Sequence, residues 1–311
     1  MKSIMYHYVR PYDPKLPDLK HLHIDDFKLQ LDFFESTYGF VTKEEFQNSL
    51  TTGKPSQGVI LTFDDGLSCH YDFVFKELKS RNLWGIFYVP TKVYTENKML
   101  DVHRIHLLLG IHNGETVYQH LMKLITDDML PDMLVNEFRE LTYRHQVNDN
   151  YTNLVKRILN YYISYDFREE ILDSLMSALV PEDVRKPEIF YATPVQLKEM
   201  HNSEMIIGSH TVNHPVLSKL TIDKQKAEIT DSFVVLHDIC GDLKMKTFCY
   251  PYGGFHSFTD DTEQILDKEQ CLFSFNVEHR DITQQDLTKR KQALPRYDCN
   301  QFQFGQCRVS N

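Results

Sequence analysis

Short uninterrupted apolar runs recur along the chain at Gly58-Val59-Ile60-Leu61-Thr62-Phe63, Trp84-Gly85-Ile86-Phe87-Tyr88-Val89, Met205-Ile206-Ile207-Gly208 and Thr247-Phe248-Cys249-Tyr250. Each is too short for a helix and reads as a buried strand. Between them the spacing turns helical. Asp25 to Phe34 opens on acids and carries apolar residues at helical intervals, and Thr193-Pro194 supplies an N-cap and a first-turn proline ahead of Val195-Gln196-Leu197. Thr221 opens a further helix over Ile222 to Ile239 that stops near Gly241. Strands alternating with helices predict a parallel β/α architecture.

From about Asp101 to about Lys186 the texture changes to long amphipathic segments rich in Leu, Met and Tyr, at Val117 to Ile125, Leu154 to Ile163 and Glu169 to Leu179. This stretch, about 101–186, reads as a helical insertion in a single catalytic domain spanning 1–311, a length one α/β barrel commonly uses. It would serve either to cover the mouth of a site or as an oligomer contact, and the pattern favours neither. The oligomeric state stays open.

Composition narrows the classes. Hydrophobic residues make up 41% and charged residues 25%, with 12 glycines and 12 prolines, which excludes disordered and collagen-like chains. The charge of −10 gives no general pull toward phosphate backbones or anionic lipid, so no nucleic-acid partner is expected. Met1 to Arg10 lacks the apolar run of a secretory signal, and no segment approaches the roughly 20 apolar residues of a membrane span. A cytoplasmic location is expected. Six cysteines without a CxxC pair predict reduced thiols and give no support to a cysteine-built zinc site.

Two segments carry candidate chemistry. In Leu61-Thr62-Phe63-Asp64-Asp65-Gly66 an apolar strand ends in adjacent carboxylates, and a turn at a strand's end lets both enter one site. One acid can then hold a cation while the other takes a proton from water. The plain alternative is an Asx-turn capping the next helix. In Gly208-Ser209-His210-Thr211-Val212-Asn213-His214-Pro215 two histidines stand at i and i+4, which on a helix puts them on one face about 5–6 Å apart at Cβ. Among 15 histidines such pairs also arise by chance, as His103/His106 and His21/His23 illustrate, and the glutamate of HExxH is missing. Together the segments say more, because each follows a short strand and barrel enzymes build their sites at the strands' C-terminal ends. A His, His and Asp set leaves positions open for water and substrate, and it suits zinc while tolerating cobalt, nickel or iron(II). Iron oxygenases with that donor set keep the carboxylate near the first histidine, whereas here Asp65 and His210 are far apart in sequence.

The pair TFDDG and SHTVNHP resembles the first two motifs of the polysaccharide deacetylases, the NodB-homology carbohydrate esterases. The resemblance implies a distorted (β/α) barrel in which Asp65, His210 and His214 hold a divalent metal, zinc by default, and Asp64 is the general base. At the third motif the chain reads Cys249-Tyr250-Pro251-Tyr252-Gly253-Gly254, keeping the aromatic and the glycine. The family's arginine, which steadies the base, is replaced by Cys249. Leu294-Pro295-Arg296-Tyr297 resembles a late segment of members lacking that arginine, so Arg296 is the expected substitute. The family's late Leu-x-His motif, source of the general acid, has no counterpart after Leu272. Met5-Tyr6-His7-Tyr8 resembles the N-terminal segment of a branch that includes biofilm poly-N-acetylglucosamine deacetylases, which makes His7 the candidate acid. The backbone N–H of Tyr252 is the implied oxyanion donor.

The function expected on this resemblance is metal-dependent hydrolysis of an N-acyl group, acetyl first, from an amino sugar or its carrier-linked precursor in surface polysaccharide metabolism. Two alternatives stand beside it. One is a deformylase or other amidase acting on a nucleotide- or lipid-linked sugar. The other is a non-catalytic carbohydrate-binding protein on the same fold.

Overall fold

The computed structural model describes residues 1–131, 138–139, 142–143 and 148–308. The chain forms two compact units. Among the described residues, the first takes in Met1–Pro11, His21–Asn97 and 188–308, and the second Tyr12–Lys20 and Lys98–Pro187.

Nine strands belong to the first unit: β1 (Lys2–Tyr6), β2 (Val9–Arg10), β3 (Leu22–His23), β4 (Val59–Phe63), β5 (Ile86–Val89), β6 (Ile206–Ser209), β7 (Thr247–Cys249), β8 (Phe273–Phe275) and β9 (Tyr297–Asp298). Seven of them form one sheet in the order β8-β7-β6-β5-β4-β1-β9, every pairing parallel. The apolar runs explain this. β4, β5 and β6 are buried at every position, and only a sheet covered on both faces accommodates strands without a polar side. Parallel neighbours need crossover connections, and helices such as Ile24–Thr37, Pro194–Asn202 and Ile222–Cys240 supply them. Thr193 caps the second of these with a reciprocal Gln196 bond, and Thr221 caps the third, which ends at Gly241 in a positive-φ conformation.

The sheet curls into a distorted (β/α) barrel. Leu294 bridges Phe275 of β8, while Tyr297 and Asp298 pair with β1, so the segment 294–298 touches both ends of the strand order. Register places Tyr6, Phe63 and Phe87 side by side on β1, β4 and β5. Their rings stack at 5.2 and 4.7 Å, an apolar floor directly before the strand ends. At Gly208 on β6 a Cβ would come within 2.6 Å of the Tyr88 ring and 2.8 Å of Thr247, so only glycine lets those strands approach.

The second unit is helical, with Asp101–Ile111, Gly114–Leu121, Asn150–Arg157 and Tyr165–Leu179. The last three start ahead of the apolar pattern because Asn113, Asp149 and Ser164 cap them and their first turns are largely polar. Tyr12–Lys20 belongs to this unit although no local pattern announces it. Among the described residues no helix is long and apolar enough to cross a membrane.

Candidate metal centre

Every residue singled out in the sequence as a site candidate belongs to the first unit, and most lie at the C-terminal ends of its strands. β4 ends at Phe63, and Asp64 and Asp65 follow, both 2% exposed. Asp65 turns into the left-handed region at φ 84°, which aims the two adjacent side chains separately. β6 ends at Ser209, and His210 and His214 follow, also buried. The helical-face reading of this pair is corrected here. Residues 210–214 form a loop, with Thr211 at φ 69° and His214 at φ 55°, conformations no right-handed helix contains. The rings still meet, with centroids 4.8 Å apart, because the loop folds back on itself where a helix would have spaced them by one turn.

Asp65 Oδ1 lies 3.6 Å from His210 Nε2 and 3.5 Å from His214 Nε2. Those separations are too long for hydrogen bonds. They match the distance of about 3.4 Å between two donors that each sit about 2.1 Å from one tetrahedral ion. The imidazole of His210 is fixed for this role: its Nδ1 lies 2.7 Å from the carbonyl of Cys249, which as an acceptor demands the proton there and leaves the Nε2 lone pair toward Asp65. Burial also holds His210 below the ordinary histidine pKa, in the neutral form a ligand needs. The donor set therefore fits a divalent cation such as zinc.

Asp64 is held apart from this triad. Arg296, fully buried, donates from Nη1 to Oδ1 at 2.8 Å and from Nη2 to Oδ2 at 2.7 Å, a two-pronged fork, and also from Nη1 to Thr62 Oγ1 at 3.1 Å. Burial pushes the Asp64 carboxyl up, but the guanidinium's charge and hydrogen bonds prevail and bring it down to about 2. Cys249, where the resemblance expected an arginine, lies against that guanidinium with Sγ 2.8 Å from Nη2. Arg296 thus enters from the segment before β9 and reaches the Cys249 side chain at the end of β7. Asp64, His210 and Cys249 also form a cluster of ligating types. A second cation there would face the Arg296 charge, and burial keeps the Cys249 thiol protonated, so of the two clusters the Asp65 triad is the one whose donors fit a cation.

The remaining candidates gather at the same edge. Tyr252, at φ 65°, lies in the turn closed by Gly253 N–H to Tyr250 C=O at 3.2 Å, and its ring packs 4.9 Å from that of His214. His7 follows β1, where Asp64 N–H donates to the Tyr6 carbonyl at 2.9 Å. Thus Asp65, Thr211, His214 and Tyr252, four of the ten non-glycine residues at positive φ among the described residues, crowd this one edge. Strain of this kind persists where surroundings over-determine it.

Two contributors went unseen in the sequence. His70 Nε2 lies 2.7 Å from the His7 carbonyl, and burial lowers its pKa to about 4, so it remains a neutral donor. Glu228, in the helix Ile222–Cys240, accepts three hydrogen bonds from the 210–214 loop. Neither carries a local motif, since each acts through residues 15 or more positions away.

A family model described as polysaccharide deacetylase matches residues 51–270. The chain belongs to the polysaccharide deacetylase family. It is therefore a deacetylase-class hydrolase acting on amide bonds. Similar solved structures include Streptococcus pyogenes deacetylase PplD in complex with acetate, at 18% identity and TM-score 0.57, covering 96% of this chain and 91% of that one. IcaB from Ammonifex degensii is 19% identical with TM-score 0.51, covering 88% and 82%. The BpsB deacetylase domain from Bordetella bronchiseptica is 14% identical with TM-score 0.54, covering 96% and 94%. At these identities the likeness shows the fold, which is that of this family member. No curated protein sequence matches the chain.

Proposed function

We propose that the chain is a metal-dependent deacetylase that removes an N-acetyl group from an amino sugar of a polysaccharide or of its carrier-linked precursor. The observation that carries this reading is the convergence of Asp65, His210 and His214 around one point, beside a separate carboxylate, Asp64, clamped by Arg296. Asp64 is the general base. The Arg296 fork keeps it ionised and fixes both oxygens, so a water beside it meets an acceptor in one orientation. A divalent cation on the triad would acidify a water and polarise the acyl carbonyl, help that so weak a base requires. The Tyr252 backbone N–H, set by the Tyr250–Gly253 turn, meets the developing oxyanion, and His7 delivers a proton to the leaving amine. Arg296 touches no reacting atom here and is a positioning residue.

The test pairs metal analysis of the purified protein with a release assay on N-acetyl and N-formyl amino sugars. Roughly one divalent ion per chain with acetate released is expected. Formate release alone would move the reading to a deformylase, and sugar binding with no release would move it to a carbohydrate-binding protein.

A further inference from the structure

The 210–214 loop must hold two residues in left-handed conformations, one of them β-branched, at a cost of order 1–3 kcal/mol each. The loop braces itself in part, through His214 N–H to Thr211 Oγ1 at 2.9 Å, and partners outside it complete that shape. Thr91 N–H donates to the Thr211 carbonyl at 3.1 Å and Lys92 N–H to the Val212 carbonyl at 3.0 Å, which pins the loop's acceptors. Two of its backbone donors go elsewhere. The backbone N–H groups of Val212 and Asn213 both donate to Glu228 Oε2, at 2.9 and 2.8 Å, and the Asn213 side-chain amide donates to Oε1 at 2.6 Å. Two consecutive amides converging on one carboxylate oxygen form a charge-assisted clamp. The clamp is anchored in the 19-residue helix Ile222–Cys240, which buries Gln225, Ile229, Ser232, Phe233 and Leu236 and meets β6 through the Ser209–Ser232 hydroxyl contact at 2.5 Å.

We propose that Glu228 is a positioning residue for the metal ligands, holding the backbone between His210 and His214 so that both Nε2 atoms face Asp65. The inference rests on the reading of Asp65, His210 and His214 as the metal site. Glu228 hydrogen-bonds neither imidazole and acts only through the amides of the residues between them. Groups that hydrogen-bond the ligands themselves change metal affinity by about 10–100-fold when removed, and a clamp on the backbone between the ligands is expected to fall at the lower end of that range.

The experiment titrates the metal-stripped full chain with Co2+ against a competing chelator, reading cobalt absorbance, and follows unfolding of the same stripped samples. Glu228→Met keeps the stem and removes the acceptor. It is expected to bind cobalt about 10-fold more weakly at unchanged stoichiometry. Glu228→Gln is expected to stay within a few-fold of wild type, because its single carbonyl oxygen can accept both backbone N–H groups while the Asn213 amide turns over to accept from the new NH2. Wild-type affinity in a folded Glu228→Met overturns the proposal. Should that variant not fold, Asn213→Ala removes the Oε1 contact alone and is expected to lose several-fold, and unchanged affinity there overturns it equally. Failure of wild type to bind cobalt, or wild-type affinity in His214→Ala, overturns the metal site itself. Wild-type binding that His214→Ala loses and Glu228→Met keeps overturns only the Glu228 role.

Discussion

Arg296–Asp64 at the metal centre and Arg280–Asp286 near the surface are the same chemical pair in two surroundings. Each arginine grips both carboxylate oxygens through Nη1 and Nη2, at 2.8 and 2.7 Å in the first and 2.7 and 2.8 Å in the second. Each aspartate is brought down to about 2. The side chains of the first pair are 1% and 3% exposed, those of the second 40% and 11%. Equal geometry and equal carboxyl pKa therefore conceal different energetics. Water reaches Arg280 and can stand in for its guanidinium, and Thr283 also bonds the Asp286 carboxylate, whereas Arg296 and Asp64 are both closed off from water. A buried pair of this kind is weak evidence for stability in itself, and its value lies in holding Asp64 ionised and oriented.

The comparison breaks most sharply at Arg296. Arg296→Met leaves a buried carboxylate without its cation, and denaturant unfolding is expected to show a loss of about 3–5 kcal/mol together with loss of turnover. A loss as small as that of the surface pair would mean burial does not separate the two. Asp64→Asn follows, with turnover on an N-acetyl amino sugar expected to drop about 10²–10⁴-fold while the metal content of the purified protein stays at the wild-type level. Asp286→Asn in the same assay is expected to leave turnover unchanged, and an equal drop in both would remove Asp64 as base. Next comes Arg280→Ala, for which urea midpoints should reveal about 0.2–1 kcal/mol, shrinking as salt is added.

The smallest effect is a pH dependence. Burial pushes the Asp286 carboxyl up, but hydrogen bonds from Arg280 and Thr283 outweigh it and take it from 3.8 to about 2. A carboxyl depressed on folding stabilises the native state above its unfolded value and loses that contribution as pH falls through the folded one. The stability gap between wild type and Asp286→Asn is thus expected to hold near pH 5 and to close between about pH 4 and pH 2. A gap that widened on acidification would contradict the direction of the shift.

Legibility followed the range of the interaction. β4, β5, β6 and β7 were visible because a parallel strand covered on both faces is written as an unbroken apolar run. β8 is as short as β7, but Ser274 interrupts its apolar run, and β9 has only two residues. The caps at Thr193 and Thr221 were readable since a cap bonds two or three residues onward. The HxxxH spacing was visible as well, yet its backbone was not, because the amides and carbonyls of the loop pair with Glu228, Thr91 and Lys92, all distant in the chain. Likewise Cys249 could be seen to depart from the arginine of the family, but not that its carbonyl orients His210 while its thiol borders Arg296.

By itself the sequence determined the alternation of strands and helices, the pairing of TFDDG with SHTVNHP and hence the family, since these are local patterns carried by neighbouring residues. The resemblance had already assigned Asp65 to the imidazoles and Arg296 to Asp64, and only the tertiary structure decided what shape the ligand loop takes and how a clamp reaching across 232 positions holds the two neighbouring carboxylates apart. Adjacent side chains such as Asp64 and Asp65 differ only in direction, and direction is set by a backbone turn and by partners distant in the chain.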